Sequence, residues 1–104
     1  MKQDLEVKIR VREILKIVQQ VAPGNSVELR IPPYAAIQCV PGSVHRRGTP
    51  PNVVEMSGDT LMELVANPTY WDEFYLKGRI SASGTNANLK DLFTQVSKLD
   101  SSTR

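Results

Sequence analysis

The sequence predicts an α+β fold in two layers, a mostly antiparallel sheet of four to five strands covered on one face by helices. Three observations predict it. Residues 4–21 repeat apolar side chains at helical spacing with no Pro or Gly. Short apolar or alternating runs follow, each bounded by Pro, Gly or Ser. The later apolar residues return to spacings of three and four. The resulting order is helix, three strands, two helices, strand, helix. Strands adjacent in sequence are expected to pair antiparallel.

The first segment has two readings. Leu5, Val7, Ile9 and Val11 alternate as in a strand, whereas Val7, Val11, Ile14, Leu15, Val18 and Ala22 recur as in a helix. The longer pattern decides for a helix over 4–21, with Asp4 at its start, Pro23-Gly24 as its stop, and Leu5 and Ile9 widening the buried face. SVELRI then reads as a half-buried strand. YAAIQCV, apolar on both faces, reads as a more central one, and PNVVEM as a third, with Val54 and Met56 on one side.

Ser57 is placed to cap a short helix carrying Leu61, Leu64 and Val65, and Asn67-Pro68 to restart the chain as N-cap and N1. The next helix presents Trp71, Phe74 and Tyr75 on one face and stops at Gly78, a left-handed cap position. RISAS is a short strand. Gly84 is read as opening the last helix, whose stripe is Leu89, Leu92, Phe93 and Val96. The whole chain, 1–104, is expected to form one domain, with its core in about 5–97 and a frayed tail at 98–104.

Bulk properties narrow the function classes. Of 104 residues, 40% are hydrophobic and 23% charged, which fits a packed domain. The net charge of +2 comes from basic residues spread along the chain, so nucleic acid is not implied. One cysteine allows no internal disulfide, and KQDLEVKIRVRE lacks the apolar core of a signal peptide, so the cytoplasm is the expected location. No window reaches the length of an integral membrane segment.

The conspicuous motifs lose their chemistry on inspection. GSVHRRGT, residues 42–49, has five residues between its glycines where a phosphate loop needs four, no following Lys, and prolines where a helix should begin. Arg46 or Arg47 could grip an anion through the planar guanidinium, but solvated loop arginines explain them as well. Cys39 lies in an apolar strand and His45 in a loop. A free cysteine there behaves as a small hydrophobe, and one His with one Cys builds no zinc site. Neither a cofactor nor a catalytic residue is expected. Glu55, Asp59 and Glu63 fall on a strand end, a helix first turn and a helix surface, a spacing that does not converge two carboxylates.

The aromatic and methionine set (Met56, Met62, Trp71, Phe74, Tyr75, Leu92, Phe93) reads either as plain core or as the lining of an apolar cavity between sheet and helices. A closed, empty cavity of about 500 Å³ would cost on the order of 12 kcal/mol, the whole stability of a small domain. Any such pocket is therefore ligand-filled, collapsed when empty, or covered by a second subunit.

Three stretches, RIPPYAAIQCVPG, RGTPPNVVEMSGDTLMEL and KGRISASGTNANLKDLF, together resemble the bacterial branch of the sterol carrier protein type two superfamily, with the likeness running over about 5–97. The resemblance implies a sheet covered by helices around a hydrophobic tunnel for sterols, acyl chains or other lipids. It implies an apolar lining from Val54, Met56, Leu61, Leu64, Trp71, Phe74, Leu89, Leu92, Phe93 and Val96, with Arg47, Thr49 and Asn52 as polar contacts at the mouth. The double proline before Asn52 serves mainly to aim the chain into a strand. The expected function is non-catalytic binding of an apolar or amphipathic small molecule. The alternative is an interaction or dimerisation module that offers the same apolar face to a second copy or a partner protein. A small enzyme or accessory domain is the third reading.

Overall fold

The computed structural model describes residues 2–42 and 52–102. Its elements are α1 (Lys2–Val21), β1 (Val27–Ile31), β2 (Ala35–Cys39), β3 (Asn52–Met56), α2 (Gly58–Ala66), a 3-10 turn (Pro68–Tyr70), α3 (Trp71–Leu76), β4 (Ile80–Ser83) and α4 (Lys90–Ser102). Four strands and four α-helices form an α+β fold, as the periodicities predict.

The sheet runs β2-β1-β3-β4 and is mixed. β1 pairs antiparallel with β2 and parallel with β3, and β3 pairs antiparallel with β4. Two expectations are corrected here. β2 and β3, neighbours in sequence, do not pair, and β2 is an edge strand instead of a central one. The register gives the reason. Cys39, at the end of β2, and Asn52, at the start of β3, flank the same residue, Val27. The chain therefore passes from one side of β1 to the other between them. The apolar look of β2 came from alanine: Ala36 is exposed beside Gln38, at little cost for so small a side chain.

One face of the sheet is polar, bearing Glu28, Arg30, Gln38, Glu55, Ser81 and Ser83. The other carries Val27, Leu29, Ile31, Val54, Met56 and Ile80 into one buried cluster with the helices. Val11, Ile14, Leu15 and Val18 of α1 join it, which confirms the helical reading of that segment. Leu5 and Ile9 do not; both stay exposed. Cys39 is fully buried, and desolvation pushes its thiol up to about 11, so it is a weak nucleophile at neutral pH.

Local signals set most element ends. Ser57 Oγ accepts from Thr60 N at 3.1 Å, capping α2. Asn67 Oδ1 accepts from Thr69 N ahead of Pro68. Gly78, at φ 78°, ends α3: Arg79 N donates to Phe74 O and Gly78 N to Tyr75 O, a paired closure that a left-handed residue permits. The last helix differs from expectation at both ends. Gly84 adopts φ 109° in a loop, and α4 begins only at Lys90, where Asn88 Oδ1 accepts the Lys90 N–H. The tail read as frayed from 98 is helical to Ser102, because Arg10 grips Asp100 through both guanidinium nitrogens at 2.9 and 2.7 Å.

Candidate functional site

Between β4 and α4 the chain makes a short strap, residues 84–89, with Ala87 and Leu89 turned into the core and Thr85, Asn86 and Asn88 exposed. The strap is tied to the sheet by Asn52. This side chain is only 2% exposed. Its Nδ2 donates to Ser26 O at 2.8 Å and its Oδ1 accepts from Asn86 N at 3.0 Å, joining the start of β1, the start of β3 and the strap. Ser26 Oγ in turn donates to Val40 O at 2.9 Å. A buried amide in that position is held by its own hydrogen bonds.

An open groove lies on each side of the strap, and Thr85 and Asn88 border both. The first, of about 390 Å³, is walled by Trp71, Asp72 and Tyr75 of α3 and by Ala82, Gly84 and Ala87. The second, of about 580 Å³, lies between the end of α1 (Val21, Ala22), Val40-Pro41 and the start of α4 (Leu92, Gln95), with Leu89 at the end of the strap. Both open to solvent, so neither bears the cost of a sealed dry void. Asp72 in the first groove is paired with Lys90 Nζ at 2.9 Å. Among the described residues no ionisable side chain lines the second. Its rim is amide and hydroxyl, its walls aliphatic, an arrangement that can hold an apolar body and hydrogen-bond an uncharged polar end.

All ten residues expected to form an apolar lining (Val54, Met56, Leu61, Leu64, Trp71, Phe74, Leu89, Leu92, Phe93, Val96) are buried in the one core cluster. Trp71 reaches the first groove and Leu89 and Leu92 the second. The others lie behind them, with Phe93 stacked on Trp71 at 6.3 Å between ring centroids. Tyr75, expected on the buried aromatic face, is half exposed at the rim of the first groove. Of the expected polar contacts, Asn52 braces the strap from beneath, and Arg47 and Thr49 lie outside the described residues, as do His45 and Arg46. Sequence reasoning missed Val21, Ala22, Val40, Thr85 and Asn88. The available signal was NAN at 86–88, a turn-like run that argued against starting a helix at Gly84.

The paired carboxylates are spread over several elements, with Arg10 and Arg30 each serving two of them. Arg79 grips Glu63, donates from Nε to Thr60 Oγ1 at 3.1 Å, and lies 4.1 Å above the Phe74 ring. The hydrogen bond from Arg79 holds the Glu63 carboxyl below its usual pKa. Glu55 lies 4.0 Å from Arg30. Among the described residues no three of His, Cys, Asp or Glu gather closely enough to hold a metal ion. No helix among them is long and apolar enough to cross a membrane.

Residues 3–94 match the family model described as "Bacterial SCP ortholog". The chain belongs to that bacterial sterol carrier protein-like family. The match spans the strap, the whole lining of the first groove and all of the second but Gln95, and includes Asn52, Trp71, Leu89 and Leu92. No curated protein matches the chain. Within this SCP family the fold is therefore secure on two independent grounds, the element order read from periodicity and the family match.

Proposed function

We propose that this protein binds and carries an apolar or amphipathic small molecule in the cytoplasm without changing it chemically. The supporting observation is the pair of open grooves on either side of the 84–89 strap, the first walled by the core residue Trp71 and the second by Leu89 and Leu92. Membership of the SCP family supports lipid-type or other hydrophobic cargo over a polar metabolite. A guest that removes about 400 Å² of apolar surface from water would gain on the order of 10 kcal/mol before association costs, enough for micromolar binding. Movement of the strap would join the grooves and deepen them toward Phe93. The dispersed ion pairs and the buried, weakly acidic Cys39 favour carriage over catalysis.

Trp71 is the chain's one tryptophan and walls the first groove, so its emission reports occupancy. Titration with a sterol and with a long-chain alcohol should shift that emission saturably. Native mass spectrometry of protein purified from its producing cells should show a co-purifying small molecule. Substituting Gln95→Phe and Asn88→Phe at the rims should abolish both signals while leaving the circular dichroism intact. An unshifted Trp71 with every apolar probe, together with a protein that purifies bare, would sink the reading. A discrete dimer in that bare preparation would favour the interaction module instead.

A further inference from the structure

The two edges of the sheet are unlike. Along the β2 edge lies α1, with a groove of about 570 Å³ between helix and strand. Gln19 Nε2 of the helix donates to Gln38 O at 3.4 Å. Arg12 and Lys16, one turn apart, set a cationic row on that groove, and Pro32 and Pro33 stand just before the strand. Charges, prolines and a helix bonded to the backbone keep a free edge from pairing. β4, at the other end of the sheet, carries no charge and no proline in its sequence ISAS. Among the described residues its backbone hydrogen-bonds to β3 alone. Every second residue of such a strand turns both N–H and C=O outward. Ser81 and Ser83 are exposed on the polar face, whereas Ala82, half-buried on the other face, opens on the first groove.

We propose that an extended, uncharged segment of a partner protein adds to the β4 edge as a further strand, seating one large apolar side chain in the first groove beside Ala82. Backbone chemistry selects the form of the partner, because an extended chain meets a series of outward N–H and C=O groups at strand spacing. The groove selects the side chain. Trp71 and Tyr75 wall it, Tyr75 half exposed, and the small Ala82 leaves the space beside the strand empty. Charge selects against an acidic or a basic segment. The one carboxylate lining the groove, Asp72, is paired with Lys90 Nζ at 2.9 Å, and Thr85 and Asn88 on the rim are uncharged. A second copy fits poorly. A strand about 13 Å long on a sheet about 10 Å thick would cover on the order of 150 Å² per copy, against about 800 Å² per partner in a stable complex. The one large side chain a second β4 could offer, Ile80, is 2% exposed and held in its own core. This goes beyond carriage and leaves the second groove to cargo.

The test is titration of the full chain with an acetylated, amidated heptapeptide, Ser-Val-Thr-Leu-Thr-Val-Ser, followed by Trp71 emission and by amide exchange. The emission should shift saturably, and exchange should slow within 80–83. Of two forms of the peptide, N-methylated along opposite edges, one should lose about tenfold in affinity and the other bind like the parent, since a strand ladder uses one edge only. Ser83→Lys, at an exposed position, should make the protein prefer a peptide with Glu in place of Thr over one with Lys by about threefold or more. No response to the parent peptide, equal binding by the two N-methylated forms, or no charge preference in the Ser83→Lys protein would overturn the proposal. Exchange at 80–83 that slows in the protein alone as its concentration rises would also overturn it, and would assign the edge to a second copy.

Discussion

The strap side and the outer side of α1 each offer an open groove of nearly the same volume, about 580 and 570 Å³. They differ in what surrounds the apolar walls. The strap groove has an uncharged rim and is braced from below by a buried amide, whereas the outer groove carries free cations and two protruding aliphatic side chains. Volume therefore says little here about what a groove holds. Rim chemistry separates a place for a guest molecule from a guarded sheet edge, and the bracing shows which of the two depends on the fold for its shape.

The largest expected effect strikes the brace. Asn52→Ala removes two hydrogen bonds, leaving the carbonyl of buried Ser26 without this partner and releasing the N–H of exposed Asn86. A loss of about 2–4 kcal/mol in urea denaturation is expected. Hydrogen exchange should quicken first in 84–89, and the Trp71 response to apolar probes should change. Unchanged stability and exchange would show that Asn52 does not brace the strap.

Cys39 gives the next effect, and it depends on pH. Burial raises the folded thiol from its ordinary 9.0 to about 11. Between those values the unfolded chain releases a proton that the folded chain keeps, so this group's contribution is fully present below pH 9 and is lost as pH rises through about 11. The difference amounts to about 2–3 kcal/mol. Cys39→Val should flatten that part of the alkaline stability profile relative to the parent, measured by denaturation at several pH values. A parallel pair of profiles would show that the thiol is not held neutral by the core.

Much of this fold was legible because its signals are local. Ser57, Asn67-Pro68 and Gly78 each act through hydrogen bonds to residues within a few positions, so a short window contains the whole cause. The strand order was not legible. It depends on Cys39 and Asn52 meeting opposite sides of Val27, a relation between distant residues that alternation along a strand does not encode. Arg10 with Asp100 is the same kind of miss, a pair 90 residues apart that holds the last turns of α4 in place. At the site, the ten apolar side chains expected as a lining all lie buried in the core, and periodicity could not say which of them meet solvent at a groove. That depended on where α4 starts. Reading Gly84 as a helix start removed the strap, and with it the rim residues Thr85 and Asn88.

Gly58→Ala probes the inner side of α1 near the same residues whose outer neighbours form the cationic row. A Cβ there would stand 2.9 Å from Val7 Cγ1 and 3.3 Å from both Val11 and Tyr34. Helix propensity favours alanine by about 1 kcal/mol, and overpacking of a tight contact costs about 1–3 kcal/mol, so a small net loss near 1 kcal/mol is expected. Thermal denaturation checks it. A stabilised variant would mean that Val7, which is only half buried, yields easily, and that α1 is less firmly seated on α2 than its contacts imply.

The smallest stability effect belongs to the outer row itself. Arg12 and Lys16 are exposed and make no ion pair among the described residues, so neutralising them should move the urea midpoint by no more than about 0.5 kcal/mol equivalent. Removing like charges one turn apart relieves repulsion, so any change should be toward greater stability at low salt and should vanish as salt rises. Arg12→Gln with Lys16→Gln, followed in urea at two ionic strengths, makes that comparison directly. A marked destabilisation would show that the row is part of the scaffold, which would remove the contrast between a braced inner groove and an outer face whose charges are free to meet a partner.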